Sequence, residues 1–202
     1  VTQVVTVGSG LTLIGGTLAA TAGTGPVLLA TLTASNSVSL TDTTHLTATY
    51  KSYEIRFINL LQATGSPTPE IYVSVNSGSS YDTTATNYQV SDVAINLVQA
   101  ASAVAPALMN STGGLIGGSY PISTTGGGVL GASGSIFLYT PSATGNKNFD
   151  YKFTAASQNN IGYNSTNGGG IYSGSTSAIN AIKILMSSGN IASGYVEIWG
   201  NP

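Results

Sequence analysis

In a chain of 202 residues only 6% are charged, and five basic against seven acidic side chains leave a net charge of −2. Nucleic-acid binding needs a dense Lys/Arg footprint against phosphate, which five scattered basic residues do not supply, and a basic membrane-surface helix is excluded for the same reason. With no cysteine, disulfides, thiolate zinc sites and cysteine nucleophiles are excluded, and no apolar run approaches the roughly 20 residues that a membrane helix needs.

The 42% of hydrophobic residues suffice for a buried core, and the length suits one medium domain with an appendage, or two small ones. The polar remainder is Ser, Thr, Asn and 26 Gly, a composition found on extracellular β proteins. Without disulfides such a protein finds its stability elsewhere, and oligomerisation is one common route. The chain begins with Val and shows no charged signal-peptide start, so processing or a longer product is expected.

The opening segment, "VTQVVTVGSGLTLIGGTLAATAGTG", alternates apolar residues with Thr, Ser and Gly. Its strand spacing is broken by Gly pairs and is too thin to bury a core alone. Gly25-Pro26 is a turn signal, so residues 1–26 read as an arm and residues 27–202 as the domain. From Val27, strand text follows strand text: "PVLLATLT", "SVSL", then Tyr53 to Leu60, where Tyr53, Ile55 and Phe57 alternate with Ser52, Glu54 and Arg56. "EIYVSV" follows. Between Asn76 and Gly128 the pattern weakens, and "VSDVAINLVQAASAVAPALM" is read as strand-poor text that admits a short helix N-capped by Ser91 and interrupted by Pro106. Alternation returns at "GSIFLYT", "NFDYKFTA", "INAIKILM" and "GYVEIWG", with "SSGNIASG" between the last two read as a hairpin connection. Eight or more strands without intervening helices predict an all-β fold, an antiparallel β-sandwich of jelly-roll type with an extended Gly/Thr-rich N-terminal arm.

Lys51, Glu54 and Arg56 gather three of the rare charges around one strand. They suit either a carboxylate-and-cation site or a solvated sheet face with an ion pair worth at most about 1 kcal/mol. Asp150 and Lys152 repeat the arrangement, while Lys183 and Glu197 add one charge to each of two later strands. This distribution is that of a sheet surface kept wet, which is the reading adopted. His45, the only histidine, follows Asp42 by three residues, but no Gly-x-Ser-x-Gly elbow accompanies it and no further metal ligands cluster there. It reads as a loop histidine, with a shared site on a trimer axis as the alternative. Asp82 and Asp92 are the acidic residues of the irregular segment, yet no spacing selects a glycosidase pair. "GGGVLG" matches a dinucleotide fingerprint only formally, because strand text follows it. Asn110-Ser111-Thr112 and Asn164-Ser165-Thr166 match glycosylation acceptors.

The most suggestive binding text combines tyrosine with amides: Tyr81, Asp82, Asn87 and Tyr88 in "SSYDTTATNYQ", then Asn160, Tyr163, Asn164 and Tyr172 in "SQNNIGYNSTNGGGIYSG". Tyrosine offers a flat apolar face and a hydroxyl, while Asn and Ser supply hydrogen bonds to a hydroxyl-rich ligand. These eight residues are the expected ligand contacts. No motif calls for a catalytic residue, a metal or a cofactor.

Taken in order, "YKSYEIRFINLLQAT", "EIYVSV", "GSSYDTTATNYQ", "GASGSIFLYTPSATGNKNFDYKF" and "INAIKILMSSGNIASGYVEIWG" resemble the C-terminal β-sandwich domains of tailed-bacteriophage fibre, spike and related virion surface proteins. The segment "VGSGLTLIGGTLAATAG" also resembles phage-fibre linker text. The resemblance spans most of Val27 to Trp199 and carries no catalytic motif. It implies a non-enzymatic homotrimer on the virion surface. The arm would meet other virion proteins, and the sandwich would bind a host cell-surface glycan by avidity, without nucleic acid or membrane insertion. The alternative is a purely structural capsid decoration or head-fibre protein. A glycan-degrading spike comes third.

Overall fold

A computed structural model of the protein describes residues 11–14, 17–20, 25–65, 67–98, 101–116, 131–156 and 162–202. The arm contributes two short strands, β1 (Leu11–Ile14) and β2 (Thr17–Ala20), which pair antiparallel from Leu11↔Ala20 to Ile14↔Thr17. The remaining arm residues before Gly25 lie outside the described set.

The domain is an antiparallel β-sandwich with unequal layers. The large sheet has eight strands: β3 (Val27–Thr33), β5 (Ser52–Gln62), β7 (Tyr88–Val98), β8 (Ala101–Asn110), β9 (Ala132–Tyr139), β10 (Lys147–Ala156), β11 (Gly162–Tyr172) and β13 (Ile191–Asn201). Their order is β3-β13-β5-β9-β10-β11-β7-β8. The small sheet has three strands, β4 (Ser39–Asp42), β12 (Ala181–Met186) and β6 (Pro69–Ser74), in the order β4-β12-β6.

Period-2 patterning puts the core between the layers. Tyr53, Ile55, Ile136, Leu138, Phe149, Phe153, Val196 and Ile198 from the large sheet belong to the same buried cluster as Leu40, Ile71, Val73, Ile182 and Ile184 from the small one. In β5 the alternation breaks once. Asn59 adopts φ 49° and the register slips between Phe57 and Leu60, so burial moves from positions 53, 55 and 57 to 60 and 62. Glycines flank the bulge on both sides, Gly194 within β13 and Gly131 just before β9. A Cβ on Gly131 would lie 2.4 Å from Asn59 C, and one on Gly194 would lie 2.3 Å from Asn59 O.

Three expectations need correction. The stretch read as a possible helix is the β7–β8 hairpin, paired from Gln89↔Asn110 to Val98↔Ala101. Pro106 fits because β8 is the sheet's edge strand, where a missing N–H is tolerated. The Asn/Gly text from residue 162 is a strand inside the sheet, not a loop, with β10 on one side and β7 on the other. Finally, β12 and β13 do not form a hairpin: β12 lies in the small sheet and β13 in the large one, so their connection crosses between layers.

The register also fixes which end of the sandwich the arm enters. Val27 stands opposite Gly200, Gly200 opposite Tyr53, and Asn201 opposite Ser52. The chain therefore enters and leaves the large sheet at one end. That end also carries Tyr139, Lys147, Tyr172 and Tyr88.

Candidate ligand-binding site

Five of the eight expected contacts converge at the arm end. Asp82 follows β6 by a loop and sits beneath the start of β7. Its Oδ2 accepts from Asn87 Nδ2 at 2.7 Å and from Tyr172 Oη at 3.0 Å, and its Oδ1 accepts from Thr84 N at 2.9 Å. Tyr88 Oη donates to Asp82 O at 2.7 Å and accepts from Val73 N at 3.2 Å. Partial burial acts to raise the Asp82 pKa, but the hydrogen bonds from Thr84, Asn87 and Tyr172 outweigh it and hold the carboxyl below its ordinary value. Burial pushes the Tyr88 and Tyr172 hydroxyls well above theirs. Both rings are inaccessible, and they meet at 5.1 Å between centroids. Tyr81 is half-buried, with Lys183 Nζ 4.7 Å from its ring centre. A cleft of ≈ 340 Å³ remains among Ser74, Ser80, Tyr81, Asp82, Tyr172 and Ser175. The network is thus saturated from within and ties β6, β7 and β11 together.

The other three expected contacts do not join it. Asn164 is buried on β11, eight residues and about 26 Å of strand from Tyr172. That burial also removes Asn164 as an accessible glycosylation acceptor. Tyr163 pairs in β11 opposite Leu97 and Ala156, but its side chain lies outside the described set, as does Asn160. Asp92 is buried on the core face and accepts from Tyr151 Oη at 2.7 Å. Gly168 separates the two strands there: a Cβ on it would lie 2.6 Å from both Asp92 Cβ and Tyr151 Oη.

His45 remains a loop residue. Its Nδ1 lies 2.6 Å from Oδ1 of the buried Asp42, whose Oδ2 accepts from His45 N at 3.1 Å. Among the described residues no group of three or more His, Cys, Asp or Glu side chains is placed to hold a metal.

The outer face of the large sheet is more than a wet surface. Glu54 and Arg56 form a 2.7 Å ion pair, with the carboxylate side chain only 12% exposed and the guanidinium 38%. Arg56 Cζ sits 4.5 Å from the centre of the Trp199 ring, and Trp199 Nε1 donates to Glu197 Oε2 at 2.8 Å. The hydrogen bond to Glu54 raises the Arg56 pKa against the opposing effect of burial. On the strand next to β5, Phe137 and Tyr139 lie within 19° of parallel at 6.4 Å between centroids, and Tyr139 Oη donates to Asp150 Oδ2 at 2.7 Å. That bond raises the Tyr139 pKa, with smaller contributions from burial and from the Asp150 charge. Ser135, Phe137, Tyr139, Asp150, Lys152 and Asn167 line an open groove of ≈ 460 Å³. In the sequence, Asp150 and Lys152 read only as charges of a wet sheet face, and the aromatic members of the groove, Phe137 and Tyr139, do not read as contacts. The available signal was Phe137 with Tyr139, two aromatics two apart on the same face as the strand charges.

No protein-family model matches the chain, no curated protein matches it in sequence, and no solved structure matches it.

Proposed function

We propose that this chain is a virion surface subunit, a tail-fibre or spike component that attaches a particle to a host-surface glycan by weak, multivalent contacts. The observation that carries this reading is the open groove on the outer sheet face. Phe137 and Tyr139 provide flat apolar surface for the C–H face of a sugar ring, while Asp150, Asn167, Ser135 and Lys152 surround it with hydrogen-bonding groups. A single shallow groove of this kind binds weakly, and a homotrimer held by the arm would multiply that affinity through effective concentration. Glycan recognition moves in this reading from the loop tyrosines to the sheet face. The loops at the arm end would face the particle if the arm docks there.

The test is binding of labelled protein to a panel of bacterial surface polysaccharides. The expected result is saturable binding that Phe137→Ala and Tyr139→Ala each weaken roughly tenfold or more, the worth of one stacking contact, with unchanged circular dichroism. Unchanged binding in both variants removes the groove from the reading.

The burial of Tyr88 and Tyr172 favours a second reading, a capsid decoration or head-fibre protein whose role is structural. It predicts no glycan binding and assembly only on a particle.

A further inference from the structure

From the strand register on the outer face, we infer that the groove contains an anion subsite over Ser135 and takes an acidic glycan, one bearing uronate carboxylates; the inference rests on the glycan-binding reading above. Ser135 stands directly opposite Arg56 on one neighbouring strand and Lys152 on the other. Lys152 and Arg56 thus hold the strand positions on either side of this small side chain, their strands about 10 Å apart, with the Arg56 guanidinium turned away over Trp199. In the next row the corresponding positions are Glu54, Phe137 and Asp150. The row that holds Ser135 and Lys152 has its only acidic member, Glu197, beyond Arg56 and two strands from Ser135, so on the Lys152 side a ligand bearing one acidic group meets a cation and no carboxylate of that row.

The face as a whole does not carry excess positive charge, so the inference depends on which groups are already engaged. Each carboxylate has a donor: Glu54 takes Arg56, Asp150 takes Tyr139 and Glu197 takes Trp199. Lys152 is exposed and makes no hydrogen bond or ion pair among the described residues, and the Ser135 hydroxyl makes none either. Arg56 is paired with Glu54 and lies over Trp199, outside the groove. The unengaged Lys152 ammonium and Ser135 hydroxyl therefore both line the groove that holds the Phe137 ring, which would carry the sugar. A carboxylate placed there gains a charge-assisted hydrogen bond from Lys152 and accepts a further one from Ser135. A neutral sugar leaves Lys152 without a partner.

The experiment compares oligogalacturonate and oligoglucuronate with their methyl esters, which keep the chain and remove the charge. The proteins are the full-length chain, Lys152→Met and Phe137→Ala, assayed at two salt concentrations. The expected result is at least roughly tenfold preference for the acid, the worth of one charge-assisted hydrogen bond. That preference should shrink with added salt, vanish in Lys152→Met, where acid binding drops to the level of the ester, and fall with all binding in Phe137→Ala. Equal binding of acid and ester, or a preference that Lys152→Met leaves intact, overturns the anion subsite and leaves the attachment reading standing. No binding to any oligosaccharide or surface polysaccharide, neutral or acidic, overturns both.

Discussion

At the scale of single residues, two positions on the core face decide how polar groups live inside the sandwich. Tyr151 and Asp92 share a hydrogen bond across a strand whose residue between them, Gly168, has no side chain. Gly168→Ala puts a methyl group into the path of that bond. It is expected to destabilise the fold by about 1–3 kcal/mol in urea unfolding, the usual effect of overpacking a filled core. Lys147 is the second position. It is fully buried, its Nζ donates to Gly145 O, and burial lowers its pKa below 10.5. The unfolded chain therefore binds the extra proton more readily, and the penalty is present at neutral pH and relieved as pH rises toward 10.5. Tyr72 works against this at the alkaline end. Burial, then the Glu70 charge and hydrogen bond, push its hydroxyl up to about 12, so the fold loses stability above pH 10 as unfolded tyrosine ionises. Subtracting a Lys147→Met variant isolates the lysine. The variant is expected to be more stable than the parent at pH 7, on the order of 1–2 kcal/mol, with the gap closing by pH 10. A variant less stable at both pH values would show that the ammonium is held by more than one carbonyl.

At the scale of elements, the loop between β6 and β7 acts as a clamp. Asp82→Ala leaves Tyr172 Oη and Asn87 Nδ2 without their acceptor, and a loss of about 1–3 kcal/mol is expected. Because the Asp82 pKa is depressed below 3.8, its contribution is complete above that value and lost as pH falls through the folded pKa. The acid limb of the parent's stability curve should therefore be steeper than that of the variant. The strands that were legible in the sequence are those buried by a regular alternation: Tyr53, Ile55 and Phe57, or Phe149, Tyr151 and Phe153. Strands β7, β8 and β11 were not, for separate reasons. In β11 three consecutive glycines erase the alternation, because neighbours such as Tyr151 fill the space that its own side chains would take. In β8 the Ala and Ser run carries no period, and Pro106 argues against a strand except at an edge. The candidate site divided similarly. Clustered loop text pointed to Tyr81, Asp82, Asn87, Tyr88 and Tyr172, which do meet, but proximity in sequence cannot show that they face inward. The groove is assembled from β9, β10 and β11, and only their pairing reveals it.

At the scale of the whole molecule, the hydrophobic cluster buried among the described residues runs from Ala34 to Ile198. A chain starting at Val27 is expected to keep the parent's unfolding midpoint within a few degrees in thermal circular dichroism. Light scattering on both chains separates the assembly routes. The proposal expects a trimer for the full chain that becomes monomeric on truncation. A trimer that persists places the interface in the sandwich, and monomers in both cases count against a self-assembling fibre.

The chain's entry at Val27, on an edge strand and beside its exit at Gly200, has a mechanical corollary. Tension applied between the two termini opens the β3–β13 ladder from one end, one hydrogen bond at a time, as a zip opens. Tension applied between the arm and a ligand held on β9 and β10 pulls β3 along its own axis instead, and the whole ladder shares the load. An optical trap should therefore find the domain yielding at low force when tethered by its termini and holding at higher force when tethered by arm and ligand. The same fold is weak or strong according to the direction of pull.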